Sequence, residues 1–409
     1  MPMSRSHDEY LVSVDLGTAT IRAAVACWRA DGELVLEGYG EAPSRGISRG
    51  IVVDIAQAAD CIAQAIEAAA NLARVRVATV ILAVGTPLAR GLNSRGCIGI
   101  QHEDKVVRVG DAAQALRAAN RVSLPAERAV TEVYTQGFTL DDIAGVPNPV
   151  GMACGRLEAE LHVISDSQAA QAAARQALRR AGYHVERIVF GPLATAEAVL
   201  TPEEKRHGSV HLDIGAAKTS LSVYAGGYPR YTRVLPIGGQ HITDDLAIGL
   251  NIPAASAEQL KRQCGIPEAR RPRGREAVQM VDVPGVPQAV PLWRLGMIVR
   301  ARVEEIFDFV SRELDRNGST GAVCGRAVLT GGFCCMAGAL EAAHRGLRRP
   351  VRLGQVDMGS ILTNFEHGPV HAGALAALAR GAYHRERTAD RRFEERGLHT
   401  LFKRVASWL

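Results

Sequence analysis

Two short stretches of this chain carry the same hydrophobic and polar pattern. Residues 11–26 read LVSVDLGTATIRAAVA, and residues 210–225 read VHLDIGAAKTSLSVYA. Each is an apolar run, an Asp–apolar–Gly step, a polar turn and a second alternating run. That order predicts a β-hairpin with an aspartate at the end of its first strand. Asp15 and Asp213 take equivalent places. The two copies lie about half a chain apart, which predicts two similar α/β lobes rather than a solenoid.

Around the hairpins the pattern alternates between strand and helix. A strand is expected at 33–39 and a helix at 54–74, with Ile55, Ala59, Ile62, Ile66, Ala69 and Leu72 on one face. The apolar run 77–84 reads as a buried strand. A helix is expected at 166–181, with Asp166 as N-cap and Gly182 as its stop. A strand at 188–190, a helix at 304–314, a strand at 327–330 and a helix at 335–345 follow, and a segment at 371–383 closes the second lobe. The expected first lobe is 8–84 with 166–200, and the second is 201–239 with 303–384. Residues 85–165 read as a small inserted subdomain, with a helix at 111–120 and strands at 129–138 and 156–164. Residues 240–302 read as an insertion in the second lobe. Its loop PEARRPRGRE (267–276) is either a solvated turn or a landing site for an acidic partner.

The length, 409 residues, suits two or three domains at roughly 150 residues each. Hydrophobic residues make up 47% and charged residues 22%, which fits a globular chain and excludes a disordered or fibrous one. A formal net charge of +5, spread along the chain, argues against nucleic acid as the main partner, and 5% aromatics argue against single-strand stacking. The eight cysteines form no CxxC pair, so buried reduced thiols are expected, with adjacent Cys334 and Cys335 a curiosity. No targeting signal is expected at 1–10, and no run reaches the ~18–20 apolar residues of a spanning helix.

One end of the chain changes the picture. Residues 385–396 (RERTADRRFEER) are densely charged and read as a solvated linker or an exposed helix. In 397–409, Leu398, Leu401, Phe402, Val405, Trp408 and Leu409 fall on one helical stripe, with Lys403 and Arg404 off it or at its edge. Such an amphipathic helix suits an anionic membrane interface. The alternative is a helix docked on its own domain.

The duplicated turns have a chemical reading. Glycine-containing turns present backbone N–H groups to phosphate oxygens, and a carboxylate at a strand end holds Mg²⁺ through water. Asp15, Gly17, Thr18 and Thr20 form one candidate clamp, and Asp213, Gly215 and Lys218 the other. Gly238 and Gly239 open a helix whose free N–H groups suit an anion or ribose. Glu258 and Lys261, at i and i+3, either reach ribose and base or form a surface ion pair. Gly331 and Gly332 allow close backbone approach.

At these residues the chain resembles the actin-like nucleotide-binding superfamily and, more narrowly, the FtsA family of bacterial cell-division proteins. The resemblance rests on VDLGTAT (14–20), PSRGISRGIVVD (43–54), NPVGMACGRLEAELHVI (148–164), PIGGQHITDDLA (236–247) and VLTGGFCCMAG (328–338). PSRGISRG and NPVGMACGR are its discriminating parts. It implies an actin-like fold of two α/β lobes around a nucleotide cleft, binding ATP and Mg²⁺, with the latter at Asp15 and Asp213. The 85–165 insert corresponds to the family's subdomain 1C, which would contact neighbours and later division proteins. The 240–302 region corresponds to subdomain 2B, which would bind the FtsZ C-terminal tail, with Arg302 near that contact. Self-association into filaments and a membrane-targeting helix at 397–409 are implied too, placing the protein at the division septum on the cytoplasmic face of the inner membrane. The chain departs from the family pattern at Thr20, where lysine is common, and at Ala216 and Ala217, where glycines are; weak or absent ATP hydrolysis is expected. A superfamily small-molecule kinase is a poorer match, because no general base stands out. An FtsA-like pilus-assembly protein would lack the terminal helix.

Overall fold

The computed structural model describes residues 10–29, 33–273, 276–285, 287, 289–316, 325–356 and 368–394, with side chains through residue 385. The first lobe opens with the hairpin β1 (Tyr10–Leu16) and β2 (Thr20–Trp28), extended by β3 (Leu34–Pro43). A small hairpin, β4 (Ile47–Ser48) with β5 (Ile51–Val52), leads into helix α1 (Ile55–Ala73). Asp54 caps α1 by accepting from the Gln57 amide at 3.0 Å, and Ala58, Ile62, Ala65, Ile66 and Ala69 bury its inner face. Strand β6 (Thr79–Val84) then runs parallel to β1.

The insert follows as β7 (Arg90–Gly99), α2 (Val109–Ala119), β8 (Arg128–Leu140), β9 (Ile143–Val146) and β10 (Arg156–Ser167). β7 escapes the sequence pattern, because RGLNSRGCIG alternates too weakly. The chain returns through α3 (Gln168–Arg180), β11 (His184–Phe190) and α4 (Gly191–Val199). Asp166 is not the cap of α3. Ser167 is, because the Asp166 carboxylate is taken by the Thr86 hydroxyl at 2.7 Å, tying the two ends of the insert together.

The second lobe runs α5 (Pro202–His207), β12 (Ser209–Ile214), β13 (Thr219–Ala225), β14 (Tyr228–Leu235), α6 (Gly239–Leu250), α7 (Ala254–Cys264), β15 (Met280–Asp282), β16 (Ala289–Pro291), α8 (Leu292–Arg316) and β17 (Ala327–Thr330). A 3₁₀ turn (Gly332–Cys335), α9 (Ala339–Leu347), β18 (Val351–Leu353) and α10 (Ala372–Glu394) complete it. The expected helix at 335–345 is thus broken, at Gly338, whose φ of +82° is left-handed. Helix α8 passes the expected boundary at 302/303 without a break.

The duplication is complete at the level of sheets. The first has the order β11-β6-β1-β2-β3 and the second begins β18-β17-β12-β13-β14, each with two parallel neighbours and an antiparallel meander. The second sheet continues through β7-β10-β8-β9, so the insert is edge-joined to the other lobe, by the Arg233–Arg90 bridge. His162 supports that seam from Asn93 (2.7 Å) and Thr232 (2.9 Å).

Helix α10 departs from expectation in its packing. It packs on α4, β1, β2 and β6, closing the first lobe rather than the second. Its small residues Ala374, Ala376 and Ala377 let it lie flat on that sheet, beside Leu375 and Leu378. Of the two readings of the charged segment, the helical one forms: α10 continues to Glu394, and the segment contains no Gly or Pro to stop it. Its root is held by buried Glu132 of β8, which accepts from Arg380 (2.6 Å), the Phe190 amide (2.9 Å) and Tyr134 (3.0 Å). Leu398, Leu401, Phe402, Val405, Trp408 and Leu409 lie outside the described residues. Among the described residues no helix is long and apolar enough to cross a membrane.

Candidate functional site

Both predicted hairpins form, in matching register: Asp15 pairs with Arg22 and Asp213 with Ser220. In the first turn, a β-carbon on Gly17 would stand 2.3 Å from the Thr20 carbonyl oxygen, so the tight turn requires glycine. The buried Thr18 hydroxyl has no hydrogen-bond partner among the described residues. Thr20 starts β2 and pairs with Pro43 of β3.

The second turn closes with the Gly215 amide on the Lys218 carbonyl (2.9 Å). Its own carbonyls then receive the first amides of α6: Gly239 N–H to Gly215 O at 2.9 Å and Gln240 N–H to Ala216 O at 2.6 Å. These N–H groups, expected to be free for a ligand, are therefore occupied. Gly238 permits the contact, since a β-carbon there would meet Gly215 O at 2.5 Å. Lys218 crosses to the first lobe and donates to Gly85 O at 2.5 Å.

The two carboxylates are near enough to feel each other's charge. Burial and the charge of Asp15 push the Asp213 carboxyl above the usual range, while Lys218 and the Thr330 hydroxyl pull the other way. Each carboxylate meets a glycine of the partner segment. A β-carbon on Gly373, in the first turn of α10, would lie 2.6 Å from Asp15 Oδ2, and one on Gly331 would lie 2.5 Å from Asp213 Oδ1. Gly331 sits at φ 89°, ψ 174°, a conformation open to glycine almost alone. A β-carbon on Gly332 meets nothing within 4 Å.

His211 and Thr330 belong to the site and were not found by sequence reasoning. The Thr330 hydroxyl lies 2.9 Å from His211 Nε2 and hydrogen-bonds Asp213. Burial pushes His211 down to about 3, so it is neutral. The available signal was the alternation of β12, which puts residues 211 and 213 on one face.

The remaining candidates resolve differently. Lys261 is buried, and its ammonium donates to Gly239 O (3.0 Å), Thr243 Oγ1 (2.8 Å) and Glu258 Oε2 (2.5 Å). Arg262 holds the other Glu258 oxygen at 2.8 Å. The ion-pair reading of Glu258 and Lys261 holds here, but the pair is packed between α6 and α7 rather than on the surface. Arg302 is bidentate to Asp245 of α6, at 2.6 and 2.9 Å, and also bonds Glu305. Its charge is already neutralised.

The chain has relatives of known identity. It is 33% identical to the cell division protein FtsA of Pseudomonas aeruginosa, over 91% of this chain and 89% of that one. The FtsA proteins of Neisseria meningitidis (33%, 84% of this chain, 83% of that one) and Escherichia coli K12 (28%, 98% and 97%) are similar too. Residues 210–376 match the family model "Cell division protein FtsA". The chain belongs to the FtsA family. Residues 88–165 match the model "SHS2 domain inserted in FTSA", so the insert carries the FtsA-type SHS2 domain. Among solved structures, the PilM–PilN type IV pilus biogenesis complex matches at TM-score 0.64 with 19% identity, covering 91% of this chain and 98% of that one. MreB5 of Spiroplasma citri bound to ADP matches at 0.51 with 13% identity, covering 93% and 98%. These likenesses establish the actin-like two-lobed fold.

Proposed function

We propose that this FtsA-family protein binds ATP with Mg²⁺ between its lobes and tethers FtsZ filaments to the cytoplasmic membrane at the division septum. The observation that carries the nucleotide reading is the pair of electrostatically coupled carboxylates, Asp15 and Asp213, each near the end of the first strand of a matched hairpin. Two neighbouring carboxylates suit a hydrated Mg²⁺. The unpartnered Thr18 hydroxyl and the open space at Gly332 suit a polar ligand lying between the turns. Thr20, Gly215 and Lys218 would complete the phosphate side. With its amides engaged, the Gly238–Gly239 segment would face the ligand through its backbone surface only. MreB5 of Spiroplasma citri, of the same fold, was solved with ADP and with AMPPNP. Bound Mg²⁺ would offset the repulsion between the two carboxylates and the phosphates.

FtsZ tethering, self-association into filaments and contacts of the insert with later division proteins are proposed on the strength of the family membership. For the FtsZ tail, the second lobe offers a cavity of about 250 Å³ between α8 and α9. Val303, Phe307 and Ala342 are apolar lining, Arg300 and Arg345 are basic, and Glu304 is acidic. Two arginines against one glutamate leave a net positive lining, which suits an acidic peptide with apolar side chains. Arg302 points to α6 instead and would act by holding α8 in place. The stripe at 398–409 would bind anionic lipid reversibly, and filament formation would make many weak anchors avid.

Thermal melting tests the nucleotide site. ATP–Mg²⁺ at 100 times its Kd should stabilise the protein by about 2.7 kcal/mol. Gly332→Asp fits the ligand-free fold, so its own melting should match wild type while the ATP shift disappears; an ATP shift retained in this variant argues against the site. Vesicle co-sedimentation with FtsZ, with and without residues 397–409, tests the tether.

A further inference from the structure

Lys218 ends the second turn, yet its ammonium is placed in the other lobe. Nζ donates to Gly85 O, 133 residues away in sequence, where β6 ends and the path to the insert begins. Gly50, in the tip between β4 and β5, flanks the same ammonium: a β-carbon there would lie 3.0 Å from Nζ. One side chain of the second lobe therefore touches two loops of the first.

The partners of this ammonium are few. A lysine has three donors. Among the described residues, Lys218 uses one of them, on a neutral carbonyl, and makes no ion pair. Lys261, also near the cleft, has all three donors engaged, and Arg22 beside Asp15 is committed to Glu41 at 2.8 Å. A half-buried ammonium on one neutral acceptor has its desolvation cost offset only in part, by the charge of Asp213 at more than ion-pair distance. The α6 amides that would otherwise make the second turn electropositive are engaged by Gly215 O and Ala216 O. What positive charge this turn offers the cleft is Lys218. A phosphate oxygen is a stronger acceptor for ammonium than a carbonyl, because both partners are charged.

We infer that Lys218 is an interlobe latch with a charge in reserve. Without ligand it ties the second turn to Gly85 across the cleft, and with a nucleotide bound it supplies the cation that the polyphosphate recruits. The second half rests on the ATP reading above; the first half does not.

The test uses the full chain with Lys218→Met, which keeps the length and removes the charge, and Lys218→Arg, which keeps the charge. Two readouts are needed. In ligand-free protein, hydrogen exchange at the amides of residues 47–52 and 85–88 should be faster in Lys218→Met than in wild type, and close to wild type in Lys218→Arg. In titrations, Lys218→Met should bind ATP–Mg²⁺ roughly tenfold or more weakly, the scale of a lost charge-assisted hydrogen bond. Its affinity for adenosine, which has no phosphate, should be unchanged, and Lys218→Arg should recover most of the ATP affinity. Unchanged exchange in Lys218→Met overturns the latch. Equal ATP affinity, or an equal loss for ATP and adenosine, overturns the phosphate role. Wild type that binds neither ligand overturns the ATP reading and the phosphate role together, while the exchange data still decide the latch.

Discussion

The first turn, residues 17–19, keeps a buried hydroxyl that bonds to nothing among the described residues. The second, residues 215–218, has two carbonyls bound by the first amides of α6 and its last side chain stretched across the cleft. The strands around them are laid out alike, aspartate for aspartate. What differs is the element that follows. Behind the second turn, β14 runs directly into α6, whose N-terminus comes to rest on the turn. Behind the first, β3 leads to the β4–β5 hairpin and only then to α1, and the turn's Ala19 carbonyl accepts from the Ser44 amide (3.0 Å) just past β3 instead of from a helix end. The second turn is thereby braced by the start of a helix, and the first keeps an unused hydroxyl. A ligand between the lobes would meet one pre-set wall and one wall with unused hydrogen-bonding capacity.

The largest expected effect separates the two aspartate pockets. Gly331→Ala places a β-carbon 2.5 Å from both Asp213 Oδ1 and Ile214 O, at a backbone conformation alanine does not share. Strain and contact together should cost about 3 kcal/mol or more. Gly373→Ala meets only the Asp15 carboxylate at close range, a side chain that can shift, and should cost roughly 1 kcal/mol. Gly332→Ala is the control and should be nearly neutral. Urea midpoints measure all three. Equal losses at 331 and 373 would mean that the second pocket is no more rigid than the first.

A smaller effect lies in the pH dependence. The folded pKa of Asp213 is raised by burial and by Asp15, above the unfolded value near ~3.9. The folded state then holds the proton more tightly than the unfolded one. The resulting stability is full below the unfolded pKa and is lost as pH rises through the folded pKa. Asp213→Asn should therefore raise the ligand-free melting temperature at neutral pH, and its advantage should shrink as the pH falls. Asp15→Asn should narrow that advantage, because it removes the neighbouring charge that raises the Asp213 carboxyl. Glu132 has the opposite sign. His384 and Arg380 hold it down to about 2 against the cost of burial. Its stabilisation is present above the unfolded value near ~4.3 and disappears as pH falls toward the folded one. Melting curves across pH for Asp213→Asn and Glu132→Gln should diverge in opposite directions. A Glu132→Gln variant as stable as wild type at neutral pH would remove the clasp on α10.

The contrast between the turns was only half legible in the sequence. The repeated Asp–apolar–Gly step located both hairpins, because the pattern is local and strand alternation is strict. The Gly17 and Gly331 requirements were foreshadowed by their residue type. Nothing local revealed that Lys218 reaches Gly85, that Lys261 turns inward to Gly239 O, or that Arg302 is held by Asp245. Each of these is a long-range pairing of long side chains, for which spacing carries no information. Helix α10 was assigned to the lobe beside it in sequence, since its alanine-rich face packs equally well in principle on either sheet. The edge-joining of β14 to β7 was invisible for a related reason: one bridge between two basic residues leaves no hydrophobic signature.

The smallest expected effect isolates the first turn itself. A buried hydroxyl without a partner carries a desolvation cost, on the order of 1 kcal/mol, that no hydrogen bond offsets. Thr18→Val keeps the shape of the side chain and deletes that hydroxyl. In ligand-free protein the change should be neutral or stabilising by up to about 1 kcal/mol. Ser220 and Ser222, in β13, also carry buried hydroxyls with no partner among the described residues, and Ser→Ala there should behave similarly without ligand. The two kinds of site should part once ATP–Mg²⁺ is added. The sheet serines lie within a strand and should leave the ligand-induced melting shift unchanged. Thr18 lies in the turn, so Thr18→Val should reduce the shift by about 1 kcal/mol, the value of one neutral hydrogen bond. A Thr18→Val protein that loses stability without ligand would show that the hydroxyl already has a partner. One that keeps the full ATP shift would make the first turn as closed to ligand as the second.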